Sequence, residues 1–516
     1  MKALKGLLIY IGIVLAIIAG LGVIIFAVMY FVPSFRIGGV GVVHARGMDN
    51  AEAIDFADYS GYSDIEINLS SKKVSLIVVP SEENVSTIDY VFTKNFFGLA
   101  FDITEYKVIK NAEIKDGTLK ISIIVTEPDG MISSSNSTMK VTLPYSKTYN
   151  LHLSSTSGNI TIYRNNNTPA ISNLTASTTT GMLNIRPTNS KTELTDISLT
   201  SLNLSTNSGK IDLTNIPTLN VVNTIKLEAT NGTYSFKNVN GSFYVTGRGI
   251  KLDADTITTD NNGFKFISEN GFFNIKKLNT PVSAENTIVT ENCDVKIAEI
   301  SGRTGIMTTY GSITIGLLND YATLQSKHGN INITKSKGDI RAITEYGNIT
   351  VNAYEKSGKF VSKRGDINVK STGEYSQGVL TQIENTEGKI KVDNKVNKLL
   401  VTTYGSSNVD ITFRVIKGEF DPKDTFKHII KIHKDGNAVV YIPTVNYKTP
   451  FMFLAKGNIS GEISGLVPEY EGDKVQSRDT YQYFPVASEG SKKKCENSCV
   501  FEFIGGTINF QGYQNI

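Results

Sequence analysis

Apolar and polar residues alternate along most of this chain, and the alternation returns at a fixed interval. The segments "KHGNINIT", "EYGNITVN" and "KRGDINVK" are near copies, and four repeat glycines follow one another at intervals of 18 residues: Gly311, Gly329, Gly347 and Gly365. A fixed interval of this size is typical of repeat proteins. Apolar residues, isoleucine or valine, stand two and four positions after each glycine. This spacing predicts a short β-strand with one buried face in each repeat.

A strand this short cannot bury its apolar face alone, so the repeats must stack on one another. The sequence therefore predicts an all-β, single-stack β-solenoid (β-helix-like) with one buried ladder of isoleucines: Ile313, Ile331, Ile349 and Ile367. We expect the glycine at a corner, where it would allow a left-handed backbone. The Ser or Thr three residues before it would line the corner with hydroxyl groups. Helical repeats are excluded, because apolar residues at three- and four-residue spacing are missing.

The same frame recurs with looser spacing on both sides of the regular copies, in "TSGNITI", "NSGKIDL" and "TYGSSNV", and Cys293 takes the glycine position in "ENCDVKI". The predicted solenoid covers residues 151–411. Alternating segments at 62–150 and 412–516 are predicted to be β-rich caps. Caps are expected because the open ends of a solenoid present unpaired strand edges that promote aggregation.

The N-terminal region carries a long apolar segment. Residues 7–32 contain no charged side chain. At about 1.5 Å per residue this segment exceeds a hydrocarbon core of roughly 30 Å, and it is too long for the apolar region of a cleaved signal peptide. The sequence thus predicts a transmembrane signal-anchor helix. Because Lys2 and Lys5 precede it, residues 1–6 are predicted to be cytoplasmic, 33–61 a juxtamembrane linker, and the bulk extracytoplasmic in a single-pass membrane protein.

Charge and cysteine content limit the classes of partner and cofactor that suit this chain. The net charge is only +3 over 516 residues, and no basic patch with interleaved aromatic residues appears, which argues against nucleic acid. Three cysteines are too few for a disulfide scaffold. Cys495 and Cys499 are close enough for a disulfide, which an extracytoplasmic location permits, but the spacing leaves two free thiols equally open. No cofactor or metal is predicted, since these cysteines have no further Cys or His ligands beside them.

Three function classes suit such a β-solenoid. The first is an adhesin or envelope-binding module, with the membrane as anchor and a cell-wall glycan or surface protein as partner. The second is an envelope scaffold that assembles through solenoid contacts, against which the caps and the anchor argue. The third is a polysaccharide-active enzyme, which needs converging acidic and basic groups. The best row for that is Lys327, Glu345 and Lys363. We interpret this row as an exposed salt-bridge ladder and predict a non-catalytic binding module.

The candidate binding strip occupies the position directly before the repeat glycines. Its members are Tyr310, His328, Tyr346, Arg364 and Tyr404. A spacing of roughly 4.8 Å between stacked strands would align these planar groups along one edge, where they could stack against sugar rings or peptide side chains. The alternative interpretation is that tyrosines beside corners simply cover the backbone with amphipathic bulk.

Residues 62–411 resemble a known family. The segments "DIEINLSSKKVSLIVV" and "VTLPYSKTYNLHLSSTSGNITI", followed by recurrent G-[NDS]-I-x-[IV] strands, are similar to the bacterial putative-adhesin family of membrane-anchored β-strand repeats, a domain of unknown function. The resemblance implies a surface β-solenoid with an adhesive or envelope role and implies no catalytic residues. The long C-terminal region departs from the family pattern.

Overall fold

The fold of the chain is given by a computed structural model. It forms two compact units, Met1–Asn215 and Ile216–Ile516. The structure describes residues 11–24, 36–37, 45–46, 54–55, 64–71, 74–82, 85–92, 94–96, 99–100, 107–116, 118–126, 133–135, 138–164, 170–188, 194–373, 379–395, 398–414, 427–433, 435–443, 451–460, 466–469, 482–485 and 499–513.

The predicted anchor is described only in part. Helix α1 covers residues 11–24, whereas residues 1–10 and 25–35 lie outside the described residues. Among the residues that are described, no helix has both the length and the apolar character needed to cross a membrane. The predicted cytoplasmic segment 1–6 also lies outside, and of the predicted linker only three two-residue strands are described: β1 (Arg36–Ile37), β2 (Ala45–Arg46) and β3 (Ile54–Asp55).

The first unit is built mainly of parallel strand pairs. Its further strands are β4 (Asp64–Ser71), β5 (Ser75–Ser81), β6 (Val85–Phe92), β7 (Lys94–Phe96), β8 (Leu99–Ala100), β9 (Lys107–Lys115), β10 (Thr118–Thr126), β11 (Ser133–Ser135), β12 (Thr138–Pro144), β13 (Thr148–Ser155), β14 (Ile160–Arg164), β15 (Ala170–Thr178), β16 (Met182–Pro187), β17 (Ile197–Leu199), β18 (Ser201–Thr206) and β19 (Lys210–Ala229), the last of which runs past residue 215.

The order of strands in this unit differs from the order along the chain. One sheet runs β9, β10, β4, β13, β15 and β18, and the other runs β6, β12, β5, β14, β16 and β19. The pairings are parallel except at one edge, where β9 and β6 are antiparallel to their neighbours. Without β9 and β6, the end of each sheet would present an unpaired parallel edge that another chain could pair with. The antiparallel strands cover that edge.

The second unit contains the regular repeats. Its strands are β20 (Thr233–Thr258), β21 (Phe264–Asn279), β22 (Glu285–Ile300), β23 (Arg303–Thr308), β24 (Ile313–Leu318), β25 (Ala322–Ser326), β26 (Ile331–Ser336), β27 (Ile340–Thr344), β28 (Ile349–Tyr354), β29 (Gly358–Ser362), β30 (Ile367–Ser371), β31 (Leu380–Asn385), β32 (Lys389–Asn394), β33 (Lys398–Thr403), β34 (Asn408–Phe413), β35 (Lys427–Lys431), β36 (Asn437–Pro443), β37 (Phe451–Ser460), β38 (Leu466–Glu469), β39 (Gln482–Pro485) and β40 (Cys499–Tyr513).

Each 18-residue repeat contributes two strands, where the sequence pattern predicted one. Sheet A stacks β23, β25, β27, β29, β31 and β33 in parallel, and sheet B stacks β24, β26, β28, β30, β32 and β34. The strands of sheet A are harder to recognise because small residues such as Ala322 and Gly358 occupy inward positions. The two sheets bury a common interior, so the β-solenoid prediction is confirmed with two strands in each rung.

The predicted isoleucine ladder is present. Ile313 pairs with Ile331, Ile331 with Ile349, and Ile349 with Ile367. All four side chains have 0% exposure. Identical β-branched side chains stacked at one strand spacing fill the interior uniformly, which stabilises the array through apolar burial.

The C-terminal strands continue the parallel pairing. Strand β40 pairs with β35 and β36 on one side and with β37 on the other. The last described strand of the chain is therefore enclosed between two rungs, because the chain first forms the outer strand β37 and then returns.

Candidate functional site

The first corner of each rung, which joins sheet A to sheet B, is fixed by a hydroxyl ladder. The Gly347 N–H donates to Thr344 Oγ1 over 3.0 Å, and the Thr344 hydroxyl donates to Gly329 O over 3.4 Å. Ser326 and Ser362 make the same two bonds in their rungs. The predicted inward row of hydroxyls is confirmed, and each hydroxyl satisfies backbone groups that would otherwise be buried without partners.

The repeat glycine is required for a different reason from the one expected. Gly347 does not adopt a left-handed backbone; instead, a Cβ at this position would lie 2.0 Å from the carbonyl oxygen of Gly329. The corners of successive rungs stack so closely that no side chain fits between them. Left-handed backbone is found among these corners at Gly271 and Gly388.

The residue after the glycine forms a second ladder. The Asn348 N–H donates to Asn330 Oδ1, the Asp366 N–H to Asn348 Oδ1, and the Lys389 N–H to Asp366 Oδ1, each over 2.8 Å. Side chains therefore link neighbouring rungs on both sides of the position where the candidate strip lies. Hydrogen bonds between rungs therefore fix the register of the backbone that carries the strip.

The structure brings four of the five strip residues into one stack. The ring centroids of Tyr310 and His328, and of His328 and Tyr346, are 4.8 Å apart, with interplanar angles of 8° and 3°. The Arg364 guanidinium carbon lies 5.7 Å from the centroid of the Tyr346 ring. Tyr310 and Tyr346 are 56% and 45% exposed. The stack is thus an ordered row of planar groups on the surface.

Stacking decides which parts of these rings a ligand can reach. His328 has a tyrosine on each face, and Tyr346 lies between His328 and Arg364. The ring faces are therefore already covered by neighbouring rungs, and a partner meets the ring edges with their hydroxyl and imidazole nitrogen atoms. The faces of His328 and Tyr346 are therefore not open to a stacked sugar ring or peptide side chain.

Tyr404 is displaced from this row. It follows a 17-residue interval between Gly388 and Gly405, and the pairing of Asn385 with Thr403 places it beside Thr386. The position next to Arg364 in the stack is occupied by Glu387, which forms an ion pair with Arg364 at 3.6 Å. The sequence pattern missed Glu387 because an acidic residue does not resemble the aromatic members of the row.

The proposed salt-bridge ladder borders the strip. Lys363 Nζ lies 3.0 Å from Glu345 Oε1, with 64% and 35% of the two side chains exposed. The hydrogen bond from Lys363 holds the pKa of the Glu345 carboxyl below its ordinary value. A general acid needs a raised pKa, so this environment favours an ionised surface carboxylate. Within the described residues, no group of three or more His, Cys, Asp or Glu could hold a metal ion.

The cysteines fall into two classes. Cys293 is buried as a free thiol, and burial, with a contribution from Asp294, raises the pKa of its thiol to about 12. This suits the interpretation of Cys293 as a small buried residue in a glycine position. Cys495 lies outside the described residues, and Cys499 is described only as the first residue of β40, so their disulfide stays a prediction.

Comparison with known proteins gives one extended match. No curated protein matches the chain. Two solved structures show a distant likeness: a putative cell adhesion protein from Clostridium sporogenes (12% identity, 43% of this chain and 95% of that chain, TM-score 0.23) and a putative adhesin from Parabacteroides merdae (13%, 65% and 98%, TM-score 0.20). TM-scores this low do not establish a shared fold or a shared role. The Toastrack DUF4097 family model, by contrast, matches residues 62–421, and the chain therefore belongs to that family.

Proposed function

We propose that this protein is a membrane-anchored, extracytoplasmic and non-catalytic binding module of the adhesin type, which meets its partner through the strip at the first corner. The observation that carries the proposal is the exposed stack of Tyr310, His328, Tyr346 and Arg364 in consecutive rungs. The resemblance of the chain to envelope β-strand repeats agrees with this role.

The strip is suited to binding because it is ordered before a partner arrives. Both flanking positions, Thr344 and Asn348, are linked to the neighbouring rung by hydrogen bonds, and the rings restrict one another by stacking. Little side-chain freedom remains to be lost on association, which lowers the entropic cost of forming a complex. Tyrosine and arginine are also the residue types that contribute most at protein interfaces.

Membrane anchoring rests on the apolar segment 7–32. In the part that the structure describes, α1, each of the 14 residues is uncharged and exposed, from Ile11 to Ile24. An apolar helix that is exposed on every face suits a lipid environment. Orientation is tested with the single substitutions Ala3→Cys and Val40→Cys in a Cys293→Ser, Cys495→Ser, Cys499→Ser background. A membrane-impermeant maleimide should label position 40 in intact cells, or in spheroplasts where an outer membrane intervenes, and leave position 3 unlabelled. The reverse pattern would overturn the orientation.

Binding is tested by screening the full-length chain in detergent against peptidoglycan, envelope polysaccharides and surface-protein preparations. A variant with Tyr310→Ala and Tyr346→Ala should lose the interactions that the unmodified chain shows. Tyr321→Ala is a matched control, because Tyr321 is 40% exposed and lies outside the strip. If the double variant stays folded and keeps every interaction, the strip is structural and the proposal is wrong.

A further inference from the structure

We infer that the partner of the strip is an uncharged glycan, which binds across the outer face of sheet B as well as along the strip. The inference rests on the proposed function, since it names the partner of the same site and extends that site by a second surface. The second surface, the neutral face, consists of the outward residues of three consecutive rungs: Ser312, Thr314 and Gly316, then Asn330, Asn332 and Thr334, then Asn348, Thr350 and Asn352.

The neutral face begins where the strip ends. Each of its rungs starts at the residue directly after the repeat glycine, whereas the strip occupies the residue directly before it. Thr314 pairs with Asn332, and Asn332 with Thr350, without a shift in register. The apolar residues that alternate with them are buried, so the polar side chains point outward. They repeat at roughly 4.8 Å along the stack and about 6.6 Å along each strand, as a regular array of amides and hydroxyls.

The polar groups of this array are available to a partner. Six of the side chains form no hydrogen bond with any residue that the structure describes: Ser312, Thr314, Asn332, Thr334, Thr350 and Asn352. The row that contains Thr314 also runs through earlier rungs, and there Asn274 Nδ2 donates to Asp253 Oδ1 over 2.6 Å. The row is therefore paired within the chain in those rungs, whereas in the neutral face its groups remain open.

The ladder after the glycine orients two further donors. Asn330 Oδ1 and Asn348 Oδ1 each accept a backbone N–H of the next rung over 2.8 Å. An amide whose oxygen is bound in this way keeps its NH2 group for other acceptors. Both residues are exposed. Their NH2 groups therefore form a short row of donors between the strip and the row of Thr314, Asn332 and Thr350.

Charge distinguishes the neutral face from its surroundings. None of its nine residues is charged, whereas the rungs on either side carry charged outward residues: Asp294, Lys296, Asp366 and Lys370. At the margin toward the second corner, Lys335 and Glu355 form an ion pair at 2.9 Å. At the end of the strip, Arg364 is paired with Glu387 at 3.6 Å. The site therefore favours an uncharged ligand over a charged one.

Polarity selects among uncharged partners. The centre of a protein interface is usually apolar, whereas no residue of the neutral face has a large apolar side chain. A neutral glycan carries hydroxyl groups at regular intervals along its length, and amide and hydroxyl side chains can both donate to them and accept from them. The stacked edges of Tyr310, His328 and Tyr346 border the face with further polar atoms. A glycan segment lying along the stack would thus meet polar groups in every rung.

A double substitution on the neutral face provides the test. Binding of the full-length chain in detergent is measured by biolayer interferometry. The panel contains neutral oligomers of glucose, mannose, galactose and N-acetylglucosamine, and acidic polygalacturonate and hyaluronan. At least one neutral oligomer should bind, with an affinity that changes little as NaCl is raised, because no ion pairs are formed. Asn332→Ala/Thr350→Ala should bind it at least about tenfold more weakly, since two side chains that would hydrogen-bond the sugar are removed.

Two controls match this variant. Gln325→Ala removes a half-buried amide from the outer face of sheet A in the same rung as Asn332, and it should leave glycan binding unchanged. Thr350→Ser keeps the hydroxyl and should also bind normally. The side chains of Gln325, Asn332 and Thr350 form no hydrogen bond with a described residue, so circular dichroism and thermal unfolding should show the same fold and stability for every variant.

Three outcomes would overturn the inference: no neutral oligomer binds, binding is confined to the acidic glycans, or Asn332→Ala/Thr350→Ala binds as tightly as the unmodified chain. Failure of the inference is distinguishable from failure of the proposed function. If Tyr310→Ala/Tyr346→Ala loses a partner that Asn332→Ala/Thr350→Ala keeps, the strip is a binding site and the neutral face is not. If only the neutral-face variant loses glycan binding, the neutral face stands and the strip is structural, so the proposed function is wrong.

Discussion

The two corners of each rung differ in the lengths of chain they accept. At the first corner, three or four residues join the strands in the rungs from β13 to β34 where the strand is interrupted, and β20, β21 and β22 run through this corner without a break. At the second corner, which joins sheet B back to sheet A, the connections between separate strands range from two residues between β22 and β23 to thirteen between β34 and β35. Every variation in repeat length larger than one residue from β13 to β34 therefore occurs at the second corner.

The difference follows from what is buried at each corner. The first corner repeats the same hydroxyl, the same glycine and the same close approach to the preceding backbone in successive rungs. The second corner has changing residues at its last inward position: Leu318, Ser336 and Tyr354 lie one above another. A surface that needs side chains at a constant spacing is therefore best built at the first corner, where the candidate strip lies.

The largest expected effect on stability comes from placing a natural insertion at a first corner instead of a second corner. In the sequence, residues 374–378, "EYSQG", stand between β30 and β31 and lengthen that repeat from 18 to 23 residues. A copy of this segment placed between Tyr346 and Gly347 would break both ladders, and we expect the unfolding free energy to fall by several kcal/mol. The same copy between Lys356 and Ser357, at a second corner, should cost about 1 kcal/mol or less. Equilibrium denaturation of both variants measures the difference, and equal losses would remove the distinction between the corners.

A smaller effect is expected from a single methyl group. Gly347→Ala would place a Cβ 2.0 Å from Gly329 O, so neighbouring rungs must separate, at a cost of about 3 kcal/mol. Gly305→Ala is the matched control, because the nearest atom to a Cβ there is 3.7 Å away. Thermal unfolding should show a clear loss for the first variant and almost none for the second. A Gly347→Ala chain as stable as the control would contradict the close-approach explanation.

Loss of one hydroxyl should have a more modest effect. Ser362 Oγ accepts from the Gly365 N–H at 2.9 Å and donates to Gly347 O at 3.1 Å. Ser362→Ala leaves both backbone groups without this partner in a buried site, so a loss of about 1–3 kcal/mol is expected from chemical denaturation. Ser362→Thr should retain the bonds, since Thr344 makes them one rung away. Equal destabilisation by both substitutions would point to packing instead.

The smallest effect concerns the reactivity of the Cys293 thiol, at the first corner where cysteine takes the place of the repeat glycine. Cys293 has 0% exposure, and burial raises the pKa of its thiol to about 12. At pH 8 the thiolate is therefore scarce in the folded protein, and alkylation should be much slower than in denaturant, where the ordinary pKa returns. A Cys495→Ser, Cys499→Ser background isolates this thiol for the rate measurement. Rapid labelling of the folded chain would show that this corner opens readily.

The period-two pattern and the 18-residue interval were sufficient to predict the solenoid, its buried isoleucines and its hydroxyl ladder, because each depends on spacing within a single repeat. Sheet A escaped prediction, since inward positions such as Ala322 and Gly358 are small and weaken the apolar signal. The alignment of Tyr310, His328 and Tyr346 followed from equal intervals. The position of Tyr404 did not, because a repeat shorter by one residue changes which neighbour it meets.

The sequence by itself determined the rung: its length, its inward residues and the residue types available at its corners, all of which act through local periodicity. Only the tertiary structure decided how rungs meet. The neighbouring rung leaves no room for a side chain at Gly347. The rings of Tyr346 and His328 cover each other's faces, and β40 lies between β36 and β37. These features depend on distances between residues of different repeats, which no pattern within one repeat specifies.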